Sequence, residues 1–477
     1  MFQRLSASLR RIRQTCALYV EPVRLALVDI RDTMVERHTE RAEKLLPVCA
    51  VWAFFLTFGG QGIRNLVGWF AFAAIAALSL LILAGLFVTA GRQLSLRRLP
   101  MLPCAFVALC CLSVVWSHFP LETVAASMLS VATTVTGIFL AVAFPLRELL
   151  SYLISGLKWI LGTSLALELF VEVFVGHRIA PVYMWSWEHI PEMYYWVNSL
   201  LFEGGPIQGI VGNRNPLAFI ALLCLIGVVL TWLDTRTHTL GTVVWSTICL
   251  LVLALTRSAT VLLALLACLA VGVGALILRR VNVKYRFRAL VFLLVCAVLI
   301  AIGSFFFHDH ISEFVARSPD MSGRGVIWER LLRLWALHPF VGWGWVMYWP
   351  PWIPMFKNLV VRADGTPTMS AHNSYIEALF QTGILGAVIV IAAVVIVAFR
   401  IFYCAYVNLD KSLYFLLPAV LMVALIVQSF TESRLLSEGN WVLFVAFATW
   451  LVVRVRSDNA DVSVRKKSVD FSVPMPA

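Results

Sequence analysis

The chain has 477 residues, of which 61% are hydrophobic and only 13% are charged. Soluble domains carry about 25% charged residues, so this composition, with its mean hydropathy of +0.87, excludes a soluble protein and indicates a polytopic membrane protein. The formal net charge of +12 does not indicate nucleic-acid binding, because no soluble basic domain is present to carry it.

Residues 1–44 are basic and are interrupted by charges throughout. They contain no continuous apolar core followed by a small-residue cleavage site, so a cleaved signal peptide is not expected. We interpret this segment as a cytoplasmic tail that either lies on the membrane surface as an amphipathic helix or is disordered.

Continuous apolar runs of about 17–25 residues follow the tail, and they predict about twelve transmembrane helices between residues 45 and 455. The runs do not alternate between apolar and polar residues, which favours helices over the strands of a barrel. The predicted spans lie near 46–60, 66–90, 100–117, 123–143, 148–175, 209–232, 240–256, 258–279, 287–307, 376–399, 412–431 and 439–455. The fold class is therefore all-α, a polytopic integral membrane protein, with residues 456–477 as a C-terminal tail.

The basic residues predict the orientation, because cytoplasmic loops are enriched in Lys and Arg. With both tails in the cytoplasm, the basic connections all fall on that side. They contain Arg92, Arg97, Arg98, Arg147, Arg236, Arg279, Arg280, Lys284, Arg286, Arg288, Arg400 and Lys411. The positive charge of the chain is thus mostly a matter of topology and of contact with anionic lipid.

Two predicted external loops, 176–208 and 308–374, are too long to be simple connectors. The first is aromatic and polar together. It is either an interfacial aromatic belt or a sugar-stacking surface, in which case Trp185, Trp187 and Arg178 are candidate glycan contacts.

The second loop contains a stretch with helical periodicity from residue 325 to 335. Trp328, Leu331 and Trp335 fall on one stripe, which predicts an amphipathic helix lying on the outer membrane surface. The Pro- and Gly-rich turns that follow it predict an ordered lid over a site.

Three predicted helices begin on the external side next to a cationic or titratable residue. Arg214 lies at the start of the sixth span, where Asn215 is the predicted N-cap and Pro216 the first helical residue. Arg257 precedes the eighth span, where Ser258 is the predicted N-cap.

His372 precedes the tenth span, in which Ser374 and Glu377 have capping-box spacing. The partial positive charge of a helix N-terminus disfavours protonation there, so we expect a neutral imidazole able to accept a proton. A lone histidine at this depth is usually an interfacial or core residue. Its position beside two candidate anion sites favours a catalytic role.

Helix N-termini favour anions, so Arg214 and Arg257 predict a diphosphate site if the three helix starts converge. Arginine near the end of a span can instead snorkel to the interface. Cations on the outer side run against the positive-inside distribution, however, and that favours anion binding. Arg324, in the second loop, is a third candidate ligand.

The sequence resembles the O-antigen ligase and polymerase superfamily, integral membrane glycosyltransferases that act on polyprenyl-linked glycans. The resemblance spans roughly residues 205 to 390. It rests on Gly212-Asn213-Arg214-Asn215-Pro216-Leu217-Ala218, Leu255-Thr256-Arg257-Ser258, Ser322-Gly323-Arg324 with Trp328, His338-Pro339-Phe340-Val341-Gly342-Trp343-Gly344 and Ala371-His372-Asn373-Ser374-Tyr375.

The resemblance implies about twelve helices with a large extracytoplasmic loop. It implies transfer of a glycan from undecaprenyl diphosphate to an acceptor hydroxyl without a metal, with Arg214 and Arg257 holding the diphosphate and His372 acting on the hydroxyl. Asn373 and Tyr375, beside His372, are candidate contacts for the acceptor or the glycan.

The expected function is therefore that of a metal-independent inverting glycosyltransferase on the outer face of the cytoplasmic (inner) membrane. An O-antigen ligase is preferred, and a polysaccharide polymerase of the same superfamily is the alternative. The expected partners are a polyprenyl-diphosphate-linked glycan, a glycolipid or glycan acceptor and membrane lipid, with no cofactor and no nucleic acid.

A transporter or flippase for the lipid-linked glycan is the alternative from another class of protein. It would need charged groups deep in the spans, for which Glu168 and Glu172 are the main candidates. The ten cysteines contain no CxxC pair, and they suggest neither a disulfide framework nor a zinc site.

Overall fold

The computed structural model of the protein describes residues 2–236, 239–306, 324–362 and 365–453, without the side chains of residues 2–35 and 296–306. The prediction of an all-α fold is confirmed, since 76% of the model is helix and the described ranges contain only two isolated β-bridges. The helices are α1 (Phe2–Thr89), α2 (Met101–Leu112), α3 (Pro120–Ala143), α4 (Leu146–Phe170), α5 (Arg214–Thr235), α6 (Leu240–Thr256), α7 (Ala259–Arg280), α8 (Val283–Phe306), α9 (Arg324–Trp335), α10 (Pro354–Lys357), α11 (Ser374–Val407), α12 (Leu416–Thr431) and α13 (Glu438–Val453).

Helices occupy all twelve predicted intervals. Within the described residues, six helices are long and apolar enough to cross a membrane by length and composition. They are Glu36–Thr89 of α1, then α3, α5, α7, α11, and α12 together with the turn before it; α2 with its following turn, α6 and α13 are shorter apolar helices. The number of membrane crossings and the side of the membrane on which each loop lies stay predictions.

The long helix α1 is a hairpin rather than a rod. Its backbone leaves helical geometry at Gly68, where φ is 83°, and the two arms run back along each other. Trp52 Nε1 donates to Ser79 Oγ at 2.9 Å, and the carbonyl of Thr89 accepts from Thr39 at 3.2 Å. The predicted spans 46–60 and 66–90 correspond to these two arms. The chain reverses at Gly68, two residues inside the second predicted span, without a separate loop.

The first of the two predicted external loops is hydrogen-bonded to the end of α4. The Glu168 carboxylate accepts the N–H groups of Gln208 and Gly209 at 2.8 and 2.7 Å. Glu172 accepts from Ser199 Oγ at 3.0 Å and from a neighbouring N–H. These two glutamates therefore anchor a loop.

The second predicted external loop packs on the start of α11. Its helix α9 buries Ile327 and Leu331 in a small core with Trp349, Phe356 and Phe380. The amphipathic helix is present as predicted. Its apolar stripe, however, packs against protein in this core, whereas the sequence pattern predicts that it lies on the membrane surface. The earlier part of the loop, residues 307–323, lies outside the described residues, as does the predicted tail 456–477.

A segment of this loop, residues 339–347, fills a break in α11. The break is at Gly383, with φ of 65°, and there the N–H of Ile384 donates to the carbonyl oxygen of Pro339 at 2.9 Å. The side-chain oxygen of Gln381 accepts two backbone N–H groups of the segment at 2.7 and 3.0 Å. Backbone groups exposed by breaking a helix must find partners in an apolar environment, and this segment supplies them.

Charged side chains cluster at two opposite ends of the helical bundle. Asp234, near the end of α5, accepts from Arg147 at 3.0 Å and from Ser412 at 2.6 Å. Arg286 forms a bidentate pair with Asp410 at 2.7 and 2.8 Å. Since α5 has 22 residues and helices rise about 1.5 Å per residue, its first residue, Arg214, lies roughly 30 Å from this end.

The break at Gly383 gives a stability prediction. A β-carbon there would overlap the carbonyl oxygen of Phe340, and the positive φ disfavours any side chain. We expect Gly383→Ala to destabilise the protein by about 2 kcal/mol or more, measured as a lower midpoint of thermal unfolding in detergent. Gly272→Ala is the matched control, because a β-carbon on Gly272 meets nothing within 4 Å. Equal midpoints for the two variants would contradict this account of the break.

Candidate functional site

His372 lies in a tight turn directly before α11. Its φ of 50° is left-handed, a conformation that non-glycine residues seldom adopt. The residue before it, Ala371, is fully buried and held on both sides: its N–H donates to Glu377 Oε2 at 2.7 Å, and its carbonyl oxygen accepts from Trp328 Nε1 at 2.9 Å. The turn thus holds the imidazole in one place at the helix start.

The predicted capping box is wrong. The N-cap of α11 is Asn373, whose side chain accepts the N–H groups of residues 375 and 376 at 2.9 and 3.1 Å. Glu377 instead turns inward. Its buried carboxylate accepts from Trp349 Nε1, Gln381 Nε2, Ser433 Oγ and the N–H of residue 371, at 2.6 to 2.7 Å. Four donors satisfy a buried carboxylate better than one backbone N–H does.

The imidazole of His372 has a carboxylate partner. Its Nδ1 lies 3.0 Å from Glu432 Oε2, and the exposed fractions of the two side chains are 24% and 10%. Glu432 follows the end of α12, and its carbonyl oxygen accepts from Ser374 Oγ at 2.9 Å. The backbone of the 432–433 turn and the start of α11 are therefore bonded together as well.

The other oxygen of Glu432 faces two further groups. Asn215 Nδ2 donates to it at 3.1 Å, and a guanidinium nitrogen of Arg324 lies 3.7 Å away. Burial is the largest influence on Glu432 and would raise its pKa. The hydrogen bond and charge of His372 and the charges of Arg324 and Arg434 outweigh burial, so the pKa is lowered. Glu432 is held as a carboxylate.

The chain of contacts continues from Asn215 to α7. Asn215 Oδ1 accepts from Ser258 Oγ at 2.9 Å. The predicted cap of α5 is wrong: α5 is capped by Asn213, whose side chain accepts the N–H of residue 215 at 3.0 Å, so Pro216 is its third residue. Ser258 stands at the N-cap position of α7, but its side chain makes no capping bond. The side chains of Asn215 and Ser258 instead form hydrogen bonds between helices, and these bonds connect the starts of α5, α7 and α11.

The two predicted diphosphate ligands flank this chain of contacts. Arg214 is the first residue of α5. Arg257 ends α6 in a left-handed conformation, with φ of 48°, and its guanidinium lies 3.2 Å from where a β-carbon on Gly204 would be. Arg257 thus lies beneath the first external loop. Arg324, by contrast, is 9% exposed and faces Glu432.

The remaining predicted contacts separate into two groups. Asn373 is buried and serves as a cap, and Tyr375 accepts a hydrogen bond from Ser429 Oγ at 2.9 Å, so both shape the turn around His372. Trp185 and Trp187 are exposed on the first loop, at 71% and 47%. On the same loop, Arg178 stacks on Tyr195 and lies 3.4 Å from Glu192.

Sequence reasoning missed Glu432. The residue lies in a short polar connection between two apolar helices, 60 positions after His372, and nothing in its local pattern connects it to a histidine. The available signal was the presence of a carboxylate in an otherwise apolar region, since ionisable residues there are seldom without a function.

The fold and the apolar helices define the class: an integral membrane protein whose polar site lies at one end of a helical bundle. Residues 242–391 match the model of the family described as O-antigen ligase. The match confirms the resemblance to the O-antigen ligase superfamily over that segment, which contains Arg257, Arg324 and His372. No curated protein shows a significant match to the chain.

Glu432 supports a prediction about stability and pH. A carboxyl group with a lowered pKa stabilises the fold above its unfolded pKa, and this contribution is lost as the pH falls through the lowered value. We expect Glu432→Gln to cost about 1–3 kcal/mol at neutral pH, and the difference from the unsubstituted protein to shrink as the pH falls below the ordinary carboxyl range.

Thermal unfolding in detergent at a series of pH values measures this difference. Glu329→Gln is the matched control. Glu329 pairs with Arg333 on an exposed helix face, where ion pairs contribute about 0–1 kcal/mol. A Glu432→Gln protein that is as stable at neutral pH as this control would contradict the assigned role.

Proposed function

We propose that the protein is a glycosyltransferase that moves a glycan from a polyprenyl diphosphate to an acceptor hydroxyl, with His372 as the general base. The observation that carries the proposal is the contact of 3.0 Å between His372 Nδ1 and Glu432. It belongs to a set of contacts that joins three helix starts, two of which carry Arg214 and Arg257.

The partner of Nδ1 sets the protonation of the ring. An ionised carboxylate only accepts hydrogen bonds, so the hydrogen of a neutral His372 lies on Nδ1 and its lone pair lies on Nε2. Nε2 is then the atom that can take a proton. The charge that this creates on the ring lies beside the Glu432 carboxylate, which stabilises it.

The proposed step is a single displacement at the anomeric carbon. The acceptor oxygen attacks, its proton passes to His372 Nε2, and the bond between the anomeric carbon and the diphosphate oxygen breaks. The electron pair of that bond leaves with the diphosphate. Attack opposite to the leaving group inverts the configuration at the anomeric carbon.

The leaving diphosphate gains negative charge as the bond breaks, and this charge needs neutralisation. Arg214 and Arg257 lie at helix starts, where guanidinium groups and backbone N–H groups favour anions together. Within the described residues, Arg257 has no carboxylate partner, which leaves its guanidinium available for a ligand.

Arg324 is proposed to act differently from the two flanking arginines. Because it is buried against Glu432, it helps to keep that carboxylate ionised and holds it in place for His372. We therefore assign Arg324 first to Glu432, and only second to the diphosphate contact predicted from the sequence.

The transfer reaction is proposed to occur on the outer face of the cytoplasmic membrane. The grouping of basic connections at the opposite end of the bundle supports this sidedness, because cytoplasmic loops are enriched in Lys and Arg. The exposed Trp185 and Trp187 of the first loop are proposed to stack on the glycan. The ligase and polymerase functions differ only in the acceptor that reaches His372.

The structure favours transfer over transport. A flippase would need its intramembrane charges free to meet a substrate, whereas Glu168 and Glu172 are bonded to backbone and side-chain groups of one external loop.

His372→Ala tests the proposed base. Loss of a general base usually lowers rates by about 10²–10⁴-fold, so we expect transfer to fall by that factor while folding and membrane insertion are retained. The assay reconstitutes the full chain with a purified lipid-linked oligosaccharide and candidate acceptors and identifies the product by mass. His189→Ala, an exposed histidine on the first loop, should keep normal activity. Transfer at the normal rate by His372→Ala would disprove the mechanism.

Arg257→Lys tests the proposed diphosphate ligand. Lysine keeps the charge but loses the planar fork that binds two phosphate oxygens, so we expect donor affinity to fall by about tenfold and Arg257→Ala to lose still more. Titration of the purified variants with lipid-linked donor measures the dissociation constant. If lysine restores full affinity, charge alone is enough at this position and a bidentate contact is ruled out.

A further inference from the structure

Arg64 is an arginine that the proposed reaction does not use, although it lies at the same end of the bundle. It stands four residues before the reversal of α1 at Gly68. The neighbouring Asn65 lies 3.1 Å from where a β-carbon on Gly212 would be, and Gly212 is two residues from Arg214. A cation at this end again runs against the positive-inside distribution.

The guanidinium of Arg64 is stacked on an aromatic ring and has a donor without a partner among the described residues. Its central carbon lies 4.3 Å from the centroid of the Trp69 ring, a stacking contact that uses the face of the planar group. The Nε atom is buried and has no hydrogen-bond partner among the described residues. Nor does Arg64 form an ion pair with any of them.

A buried donor without an acceptor is rare in folded proteins, and it calls for an acceptor that the chain itself does not supply. An edge of a guanidinium presents parallel N–H groups, a geometry that matches two oxygens of one phosphate. A phosphate group is therefore the acceptor that this edge fits best.

The surroundings of Arg64 suit an amphiphilic ligand. Trp69 is 53% exposed and contacts Tyr183 with ring centroids 5.9 Å apart, while Tyr183 OH donates to Asn65 Oδ1 at 3.3 Å. Exposed tryptophan beside a cation is typical of the headgroup layer of a membrane. The reversal of α1 and the first loop thus form a cationic, aromatic surface of the composition found in the headgroup layer.

We propose that Arg64 is a second anion subsite, whose guanidinium binds the phosphate of a membrane lipid while the Trp69 ring stacks on it. The phosphate belongs to the polyprenyl carrier of the donor or to a phospholipid of the bilayer. In the first case the inference rests on the proposed function, since Arg64 would then extend the donor site formed by Arg214 and Arg257.

Lipid titrations of the purified full chain in detergent, followed by native mass spectrometry, test this inference. The probes are undecaprenyl diphosphate, undecaprenyl monophosphate, uncharged undecaprenol and phosphatidylglycerol. We expect Arg64→Ala to weaken binding of a phosphate-bearing lipid by about tenfold or more, and to leave undecaprenol unchanged. Arg64→Lys, which keeps the charge and stem, should also bind more weakly because it lacks the fork.

Arg333→Ala is the matched control. It removes the same charge from an exposed residue that already has Glu329 as a partner, and we expect every lipid to bind as before. A loss confined to the two polyprenyl phosphates assigns the subsite to the donor, and a loss confined to phosphatidylglycerol assigns it to the bilayer.

Unchanged binding of all phosphate-bearing lipids by both Arg64 variants would overturn the inference. That failure is separable from failure of the proposed function. If Arg257→Ala loses the donor while the Arg64 variants keep it, the transferase proposal stands and the subsite does not. If His372→Ala transfers glycan normally while Arg64→Ala loses phosphate binding, the subsite stands and the transferase proposal does not.

Discussion

The candidate site depends on one carboxylate placed where several helices meet. Glu432 accepts from His372 on one oxygen and from Asn215 on the other, and it faces Arg324. A buried carboxylate needs partners for both oxygens, and here the partners come from three separate elements: the turn before α11, the start of α5, and α9. The start of α7 is connected indirectly, because Ser258 donates to Asn215. The charge on Glu432 thus links the fold to the chemistry, because the contacts that satisfy it also set which nitrogen of the imidazole is free.

A second constraint holds the turn that carries His372. The loop segment 339–347 lies in the break of α11, and Gln381 and Glu377 receive donors from the loop and from the turn after α12. A continuous helix would have no open backbone groups to bind such a segment. The irregular backbone at Gly383 is therefore what allows a long loop to be fixed against α11, and the same contacts hold the left-handed turn at His372.

The continuous apolar runs predicted the helices well, because burial in lipid demands long apolar segments. Helices lie at all twelve intervals, including the two arms of α1. Local patterns were less reliable at helix ends. Ser374 and Glu377 have the spacing of a capping box, yet Asn373 caps α11, because the tertiary structure offered the glutamate four donors in the interior. Asn215 and Ser258 likewise serve contacts between helices, which spacing along one helix cannot reveal.

The sequence alone determined that the protein is a bundle of apolar helices and that Arg214, Arg257 and His372 stand at three helix starts. These are local properties, set by hydrophobic runs and by short motifs. Only the tertiary structure decided that those starts meet, that Glu432 is the partner of His372, and that Arg64 lies at the same end of the bundle with an unpartnered donor. Such contacts join residues tens to hundreds of positions apart, and they depend on how the helices pack and where the chain reverses.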